Sequence, residues 1–450
     1  MKIHLIAIGG SAMHNMAIAL HLKGYQVSGS DDEIFEPSKG RLIKYNLLPT
    51  NIGWNPNKIT KDLDAVIVGM HARADNPELL KAQELGLNIY SYPEYIYNQS
   101  ADKKRIVIGG SHGKTSITAM ILHVLNHLNY NYDFMVGAQL EGFECMVKLS
   151  HDAPIIILEG DEYLSSPIDR RPKFHLYKAH TAVISGIAWD HINVFPTFEN
   201  YVEQFKIFTD LIEKEGKLIY CDADEEVKKI GDQFSKTKVG YKTHDHKIVN
   251  GQTILLANGN EFPIQVFGEH NLQNLSAALN VCVDLGIDPI DFYAAIANFK
   301  GASKRLELVK SNNKSAVYKD FAHSPSKLKA TSIAMKSQFN DRKLIACMEL
   351  HTFSSLNEEF LRQYESCMDA PDEAYVFFSP KALAHKKLPD ISVDQVHKAF
   401  NRKDLKVFTS SKELINELKA KNWDHQNLLL MSSGNFEGLD FNELATELIG

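Results

Sequence analysis

One short stretch constrains the fold of this chain more than any other. The apolar residues Ile106–Ile108 predict a strand, Gly109–Gly113 form a glycine-rich turn, and Lys114 opens a run with a helical pattern. Glycines let backbone N–H groups converge on phosphate oxygens, the helix N-terminus adds the positive end of its dipole, and a lysine brings a full charge. The stretch therefore predicts a parallel α/β sheet that binds a nucleotide phosphate at its edge.

This turn defines a set of candidate nucleotide-binding residues. The set is Gly110, Ser111, His112, Gly113, Lys114, Thr115 and Ser116. Thr115 directly follows the lysine, which is where a hydroxyl that binds Mg²⁺ belongs. Ile108 stands where the ordinary phosphate-loop pattern has its first glycine, so an ordinary strand-to-helix turn is the alternative.

Acidic residues follow another predicted strand in the same part of the chain. The strand Ile155–Leu158 ends at Glu159, with Asp161 and Glu162 close behind. Carboxylates at the carboxyl edge of a parallel sheet suit Mg²⁺, which prefers oxygen ligands beside substrate phosphates. A further predicted strand leads to His191. We expect Lys114 and Glu159 to be catalytic and Thr115 and Glu159 to hold Mg²⁺, with Asp161 and Glu162 as supporting acids. A solvated acidic turn is the alternative for the acids, and a structural histidine is the alternative for His191.

Strand and helix patterns alternate along the whole chain, which indicates parallel sheets covered by helices. We predict three α/β domains: a Rossmann-like domain at residues 1–100, a central phosphate-loop domain at 101–301 and a Rossmann-like domain at 302–450. The charged run 101–105 marks the first boundary. Short strand patterns and the turn Asn258-Gly259-Asn260 predict a small β-rich portion within the central domain.

Composition excludes several classes of protein. A formal net charge of −7 argues against a general nucleic-acid binder, which needs a basic surface. No apolar run approaches the roughly 20 residues that span a bilayer, and the first residues enter a strand pattern, so we expect a cytoplasmic chain without a membrane segment. The five cysteines are widely spaced, and we expect reduced packing residues.

The order of these motifs resembles the Mur ligase family of peptidoglycan synthesis. The resemblance rests on the phosphate turn, Glu159, His191, Gly268–Asn274, Ser303–Glu307 and Asp320–Pro325. It implies that Asn271, Asn274, Arg305, Asp320 and His323 shape an ATP pocket with the turn. It also implies that His191 is catalytic together with Lys114 and Glu159, and that it holds Mg²⁺ together with Thr115 and Glu159. It also implies that Gly10, Ser11, Ala12, Met13, Asp31, His71, Arg73 and Asn76 bind the UDP-sugar.

The resemblance implies an ATP- and Mg²⁺-dependent amide ligase that acts on UDP-N-acetylmuramate. Segments such as Asp169–Phe174 and Met431–Phe436 are similar to the branch that reattaches a salvaged L-alanyl-γ-D-glutamyl-meso-diaminopimelate tripeptide. The branch that adds L-alanine is the alternative. Its members carry H-R-Y-x-R-T, whereas this chain has His351–Leu356 without either arginine. We expect a monomer or weak dimer.

Two other classes of protein and one modification stay open. A nucleotide-binding regulatory ATPase would use the same phosphate turn. A dinucleotide-dependent oxidoreductase would share the glycine turn at Gly9-Gly10, but the later glycine of its motif is missing after Met13. Lys206 falls where several relatives carry a carbamylated lysine, which the resemblance alone suggests; a solvated helix lysine is the other interpretation.

Overall fold

The computed structural model describes residues 1–189, 194–302 and 305–450. It divides into two compact units: Met1–Lys242 with Asn274–Ala295, and Thr243–Gln273 with Ile296–Gly450. Every sheet of the first unit is mainly parallel with helices between the strands, as the alternating sequence pattern predicts. The predicted domain boundaries near residues 100 and 301 stay predictions.

The N-terminal sheet has the order β2-β1-β3-β4, with all its pairs parallel. Its strands are β1 (Lys2–Ile6), β2 (Gln26–Ser30), β3 (Ala65–Val68) and β4 (Ile89–Ser91). Its helices are α1 (Ser11–Leu22), α2 (Ser38–Lys44), α3 (Pro77–Glu84) and α4 (Tyr92–Gln99), with a short 3₁₀ turn at Pro56–Lys58. Strand β3 is buried along its whole length, so it reads as a continuous apolar run.

The phosphate turn belongs to a second sheet with the order β11-β10-β9-β5-β8-β6-β7, in which only β6 and β7 pair antiparallel. Its strands are β5 (Lys104–Gly109), β6 (Asp133–Met135), β7 (Val147–Lys148), β8 (Ile155–Glu159), β9 (Thr181–Ile184), β10 (Lys217–Cys221) and β11 (Thr237–Tyr241). Helices in this region are α5 (Lys114–His127), α6 (Lys173–Leu176), α7 (Phe198–Asp210), α8 (Glu225–Gln233), α9 (Glu269–Asp284) and α10 (Pro289–Ile296).

The charged run 101–105 is not a solvated linker. Lys104 and Arg105 belong to β5, and the side chains of Lys103 and Arg105 are buried. The guanidinium of Arg105 donates to the backbone carbonyls of Tyr177 and Ser100, each at 2.9 Å. Buried charges are tolerated when hydrogen-bond partners satisfy them, and these carbonyls are such partners.

The predicted β-rich portion is a three-stranded antiparallel sheet in the second unit. Its strands are β12 (His246–Val249), β13 (Gln252–Ala257) and β14 (Asn260–Ile264). Asn258 and Gly259 connect β13 to β14 with φ of +49° and +78°. Two left-handed residues in a row are the geometry of the tight hairpin turn that this sequence predicts.

The remaining sheet has the order β15-β16-β20-β17-β18-β19, antiparallel only between β15 and β16. Its strands are β15 (Glu307–Ser311), β16 (Ala316–Asp320), β17 (Lys343–Leu350), β18 (Glu373–Phe378), β19 (Lys406–Phe408) and β20 (Gln426–Met431). Its helices are α11 (Pro325–Gln338), α12 (Glu358–Leu361), α13 (Pro380–Lys386), α14 (Val393–Phe400), α15 (Ser411–Lys419) and α16 (Phe441–Ile449), with a 3₁₀ turn at Arg362–Tyr364. Apolar clusters cover both faces.

Two further expectations can be compared with the structure. All five cysteines are buried and unpaired, as predicted. Among the helices within the described ranges, none combines the length and the apolar character that crossing a bilayer requires.

Candidate active site

The turn between β5 and α5 is built around two glycines with left-handed backbones. Gly110 has a φ of +135°, and a Cβ there would lie 2.1 Å from Oγ of Ser185. Gly113 has a φ of +81°, and a Cβ there would lie 2.4 Å from Oδ1 of Asn274. Side chains are therefore excluded at both positions for reasons of backbone conformation and of space. A glycine turn of this shape at a helix N-terminus suits an anion.

Ser185, at the end of β9, holds this turn in place. Its hydroxyl donates to the carbonyl oxygens of Gly109, at 3.2 Å, and of His112. The backbone N–H of Ser111 donates to Gly186 at 2.9 Å. Predicted residues Ser111 and His112 therefore lie against the end of β9, where the sequence analysis had not placed a contact.

Lys114 points back over the turn. Its Nζ donates to the carbonyl oxygen of Gly110 at 2.5 Å and to Oε2 of Glu162 at 2.6 Å. Burial lowers the pKa of the Lys114 ammonium, but the carboxylates of Glu162 and Asp161 outweigh burial and raise its pKa overall. The lysine therefore keeps its full positive charge at neutral pH.

Thr115 and Glu159 form the candidate metal site. The Thr115 hydroxyl donates to Oε1 of Glu159 at 2.8 Å, and the N–H of Gly137 donates to Oε2 at 2.7 Å. Burial raises the pKa of Glu159 against these hydrogen bonds and against Lys114. A buried carboxylate whose ionised form is disfavoured gains from a cation beside it.

The two oxygens also fit Mg²⁺ geometrically. An octahedral ion with ligands at about 2.1 Å holds neighbouring oxygens about 2.9 Å apart. The 2.8 Å between the Thr115 and Glu159 oxygens is that of an ordinary hydrogen bond, and it is also compatible with two neighbouring ligands of one ion. Within the part of the chain that the structure describes, no group of three or more histidine, cysteine or acidic side chains surrounds such a position, so most other ligands would be phosphate and water. His191, the third predicted ligand, lies outside the described residues.

Asp161 and Glu162, the two supporting acids, each pair with a lysine instead of standing free for a metal. Glu162 pairs with Lys114, and Asp161 pairs with Lys173 from helix α6. The Lys173 ammonium also lies 5.8 Å from the centre of the Tyr92 ring. Burial alone would raise the pKa of Asp161, but the ammonium groups of Lys173 and Lys114 lower it to about 2.

The predicted nucleotide residues fall into both compact units. Asn274 touches the phosphate turn, as its contact with Gly113 shows. Asn271, Arg305, Asp320 and His323 belong to the second unit, and their place at the nucleotide stays a prediction.

In that second unit Asp320 is the best-defined predicted residue. Its carboxylate accepts hydrogen bonds from the N–H groups of Leu306 and Ala322, each at 2.6 Å. Burial raises the pKa of Asp320, although Arg305 opposes the change. The guanidinium of Arg305 stacks 5.0 Å from the centre of the Phe321 ring.

The predicted UDP-sugar residues gather at the carboxyl edge of the N-terminal sheet. Asp31 follows β2 and accepts a hydrogen bond from the N–H of Gly9 at 2.6 Å. Gly10 caps α1, and Met13 lies under Gly69, where a Cβ would approach it to 3.1 Å. Burial raises the pKa of Asp31 to about 6. The glycine turn, the first turn of α1 and the acid therefore form one continuous surface.

The loop after β3 carries the other predicted sugar-binding residues. His71 and Arg73 are exposed, and Arg73 pairs with Asp75 at 3.0 Å. Asn76 is buried, and its Oδ1 accepts from the N–H groups of Glu78 and Leu79. Asn76 therefore caps α3, and its side-chain oxygen is already used.

Lys206 lies on the outer side of α7. Its side chain is 48% exposed, and its Nζ lies 3.7 Å from Glu203 one turn earlier. The residue of this helix that faces the phosphate turn is Tyr201. The structure gives Lys206 the surroundings of a solvated helix lysine, so its carbamylation stays a hypothesis without structural support.

Four residues near the phosphate turn were missed by sequence reasoning: Gly137, Lys173, Ser185 and Tyr201. Each reaches the site from a different strand end or helix. Ser185 and Lys173 carried a weak signal, because both lie close to segments that the sequence analysis singled out. Gly137 carried none, since it acts through its backbone N–H.

Comparisons with known proteins agree with this geometry. Residues 2–104 match the model described as "Mur ligase family, catalytic domain", and residues 108–282 match the Mur ligase middle domain. A UDP-N-acetylmuramate–L-alanine ligase of Sulfurihydrogenibium sp. (strain YO3AOP1) is 30% identical over 380 residues, covering 82% of this chain and 81% of that relative.

Solved structures share the fold over nearly the whole length. The UDP-N-acetylmuramate-alanine ligase of Thermotoga maritima aligns with a TM-score of 0.70 at 21% identity, covering 97% of this chain and 96% of that chain. A murein peptide ligase of Psychrobacter arcticus 273-4 aligns with a TM-score of 0.64 at 22% identity, covering 100% and 98%. The chain therefore has the three-domain α/β fold of these enzymes and belongs to the Mur ligase family of ATP-dependent ligases in peptidoglycan synthesis.

Proposed function

We propose that this chain joins L-alanyl-γ-D-glutamyl-meso-diaminopimelate to the lactyl carboxylate of UDP-N-acetylmuramate while ATP is split to ADP and phosphate. The observation that carries the ligase chemistry is the grouping of Lys114, Thr115 and Glu159 around the glycine turn. It supplies one fixed positive charge and two hard oxygen ligands at a helix N-terminus, which is the chemistry that a metal-bound triphosphate needs.

The reaction has two steps. An oxygen of the lactyl carboxylate attacks the γ-phosphorus of ATP, the bond from that phosphorus to the ADP oxygen breaks, and an acyl phosphate forms. The free amine of the acceptor then attacks the activated carbonyl carbon, the bond to the phosphate oxygen breaks, and the amine loses a proton. Neither step requires a protein nucleophile.

The residues of the turn position and neutralise the transferred group. Lys114 stays protonated and offsets negative charge on the phosphoryl oxygens. Thr115 and Glu159 would hold Mg²⁺, which supplies further positive charge when bound. The N–H of Gly137 holds the Glu159 carboxylate in place through a hydrogen bond, so it would present an oriented oxygen to the ion.

The loop after β17 weakens the case for L-alanine as the acceptor. The two positions that carry arginines in the L-alanine-adding enzymes hold Thr352 and Ser355 here. Their hydroxyls hydrogen-bond each other at 2.9 Å, and Ser355 is fully buried. The loop therefore lacks the guanidinium groups that would meet a free amino-acid carboxylate in the L-alanine-adding enzymes.

The segment Asp169–Phe174, which is similar to the tripeptide-adding branch, adds support. Arg171 pairs with Asp169 at 2.7 Å and approaches Glu94 to 3.6 Å, and Lys173 reaches Asp161 beside Lys114. The segment thus extends from the site acids to helix α4. L-Alanine is the second candidate acceptor, favoured by the name of the 30%-identical relative.

The test is an ADP-release assay with UDP-N-acetylmuramate and three acceptors: L-alanine, L-alanyl-γ-D-glutamate and the diaminopimelate tripeptide. We expect turnover with the tripeptide and little with L-alanine. Strong turnover with L-alanine would replace the main proposal by the second candidate. ATP splitting that needs neither substrate would favour a regulatory ATPase. A reaction that consumes ATP and a UDP-sugar also fits the expected cytoplasmic location.

A further inference from the structure

A chain of buried hydrogen bonds runs from the phosphate turn through helix α7 and back to Lys114. The Tyr201 hydroxyl lies 2.8 Å from Oγ of Ser111 and 3.1 Å from Oε1 of Glu162. The other oxygen of Glu162 accepts from Nζ of Lys114 at 2.6 Å. The side chains of Tyr201 and Glu162 are at most 1% exposed, so water does not substitute for these contacts.

The chemistry of the groups determines which one donates in each of these hydrogen bonds. An ionised carboxylate only accepts hydrogen bonds, so the single phenolic hydrogen of Tyr201 goes to Glu162. The oxygen of Tyr201 must then accept the hydrogen of the Ser111 hydroxyl. The oxygen of Ser111 is in turn held by the backbone N–H of Ala188 at 2.9 Å. One phenol therefore links the carboxylate that holds Lys114 to the backbone of the turn.

Tyr201 is itself rigidly held. It lies in the first turn of α7, directly after the cap at Thr197, whose hydroxyl accepts from the N–H of Asn200 at 3.2 Å. Its ring packs against Phe195 and Phe205, with centroids 5.4 and 5.3 Å away. A hydroxyl on a buried aromatic ring at a capped helix start is a well-defined anchor.

We propose that Tyr201 is a positioning residue of the ligase reaction, which acts through Glu162 to aim the ammonium group of Lys114. Of the three ammonium hydrogens, one goes to Gly110 and one to Glu162. These two contacts leave the third hydrogen for a phosphate oxygen at the turn. This inference rests on the proposed use of the turn for the γ-phosphate of ATP.

The Tyr201→Phe variant removes only the phenolic oxygen, which lies at the centre of this series of hydrogen bonds. Glu162 then loses one of its hydrogen bonds, and Lys114 is no longer aimed. We expect kcat/KM for ATP to fall about tenfold, with KM for UDP-N-acetylmuramate unchanged. Tyr95→Phe is the matched control, because among the described residues the buried Tyr95 hydroxyl has no hydrogen-bond partner. Equal kinetics of the two variants would overturn the proposal.

A double-mutant cycle separates positioning from general support of the fold. If Tyr201 acts through Glu162, Tyr201→Phe should change kcat/KM less than twofold in a Glu162→Gln background. The full tenfold loss in that background would also overturn the proposal. Should Glu162→Gln not fold, the comparison of Tyr201→Phe with Tyr95→Phe decides, since of these two phenols only Tyr201 donates to Glu162.

Lys114→Ala distinguishes this proposal from the function on which it rests. If Lys114→Ala abolishes turnover while Tyr201→Phe matches Tyr95→Phe, only the role of Tyr201 fails. If Lys114→Ala keeps full turnover, the use of the turn for ATP fails as well. Melting temperatures of all variants, measured alongside, exclude loss of folded protein as the cause.

Discussion

The side-chain amide of Asn274 lies directly against Gly113, so that a Cβ on Gly113 would sit 2.4 Å from Oδ1 of Asn274. The two residues are 161 positions apart in the sequence, and α9 delivers the asparagine to the turn. The shape of the phosphate turn is therefore set by its own glycines and by a helix far along the chain.

This contact makes Gly113→Ala a sharp test of the turn. Both a left-handed φ and a collision oppose the methyl group. Gly142→Ala is the control, since Gly142 has a φ of +80° with nothing within 4 Å of its Cβ position. Strain of about 1 kcal/mol is common to both variants, but only Gly113→Ala should lose roughly tenfold or more in kcat/KM for ATP. Equal activities would show that the close approach is unimportant.

Neutralising Glu159 should remove the metal site. In Glu159→Gln one hard anionic ligand is lost beside Thr115, and we expect kcat to fall by about 10²–10³ and the Mg²⁺ requirement to rise. Glu203→Gln on the exposed side of α7 removes a carboxylate of the same kind and should stay within about twofold. Titration of activity with Mg²⁺ is the measurement, and an unchanged Mg²⁺ dependence would exclude Glu159 as a ligand.

Asp31 predicts a pH-dependent stability. Burial raises its pKa from 3.8 to about 6 in the folded protein. The folded state therefore holds the proton more tightly than the unfolded state, and stability is lost as the pH rises through this window. In Asp31→Asn the amide oxygen still accepts from the N–H of Gly9, but it does not ionise. The free energy of unfolding of this variant, relative to the parent protein, should therefore rise by about 2 kcal/mol between pH 4 and pH 7. The measurement is urea unfolding at each pH, with Asp210→Asn at an exposed position as the control. A difference between Asp31→Asn and the parent protein that does not change with pH would contradict the prediction.

Glu78 predicts a dependence of stability on pH that is opposite in sign to that of Asp31. Burial raises its pKa, but hydrogen bonds from His4, at 3.1 Å, and from the N–H of Asn55 lower it overall. Stability from this carboxylate is present above its unfolded pKa and is lost as the pH falls through the folded pKa. Glu78→Gln leaves the buried ring of His4 without its carboxylate partner, and the free energy of unfolding should fall by roughly 3 kcal/mol at pH 7. Glu84→Gln, exposed on the same helix, should cost less than about 0.5 kcal/mol.

Lys206→Ala tests the carbamylation hypothesis. Because this side chain is half exposed and pairs with Glu203 on its own helix, we expect kcat within about twofold of the parent protein, with or without bicarbonate. A large loss of activity that bicarbonate modulates, together with a mass increase on this lysine, would restore the hypothesis.

Local patterns predicted most of the fold, because strands, turns and capped helices are encoded over a few residues. The strand β3 and the hairpin at Asn258-Gly259 are examples. The same holds for the phosphate turn, where glycine and lysine act within one loop. The burial of Lys103 and Arg105 in the run 101–105 could not be predicted, because charge in the sequence does not reveal that carbonyls and Asp133 enclose Lys103.

The partners of the site residues could not be predicted from the sequence. Glu162 lies 48 residues from Lys114, and Tyr201 lies 90 residues from Ser111. Such pairs depend on which strand ends lie next to each other in the sheet and on which face of the sheet a helix packs. The sequence therefore indicated carboxylates near a metal, whereas the structure assigns two of the three to lysines.

The buried cysteines have a practical consequence for spectroscopy. Desolvation raises the pKa of every thiol in the chain, so each resists alkylation in the native state. A single cysteine engineered on an exposed helix, for example in place of Lys206, would react far faster than the native five. Fluorescent or spin labels can thus be attached at one chosen point without first building a cysteine-free background.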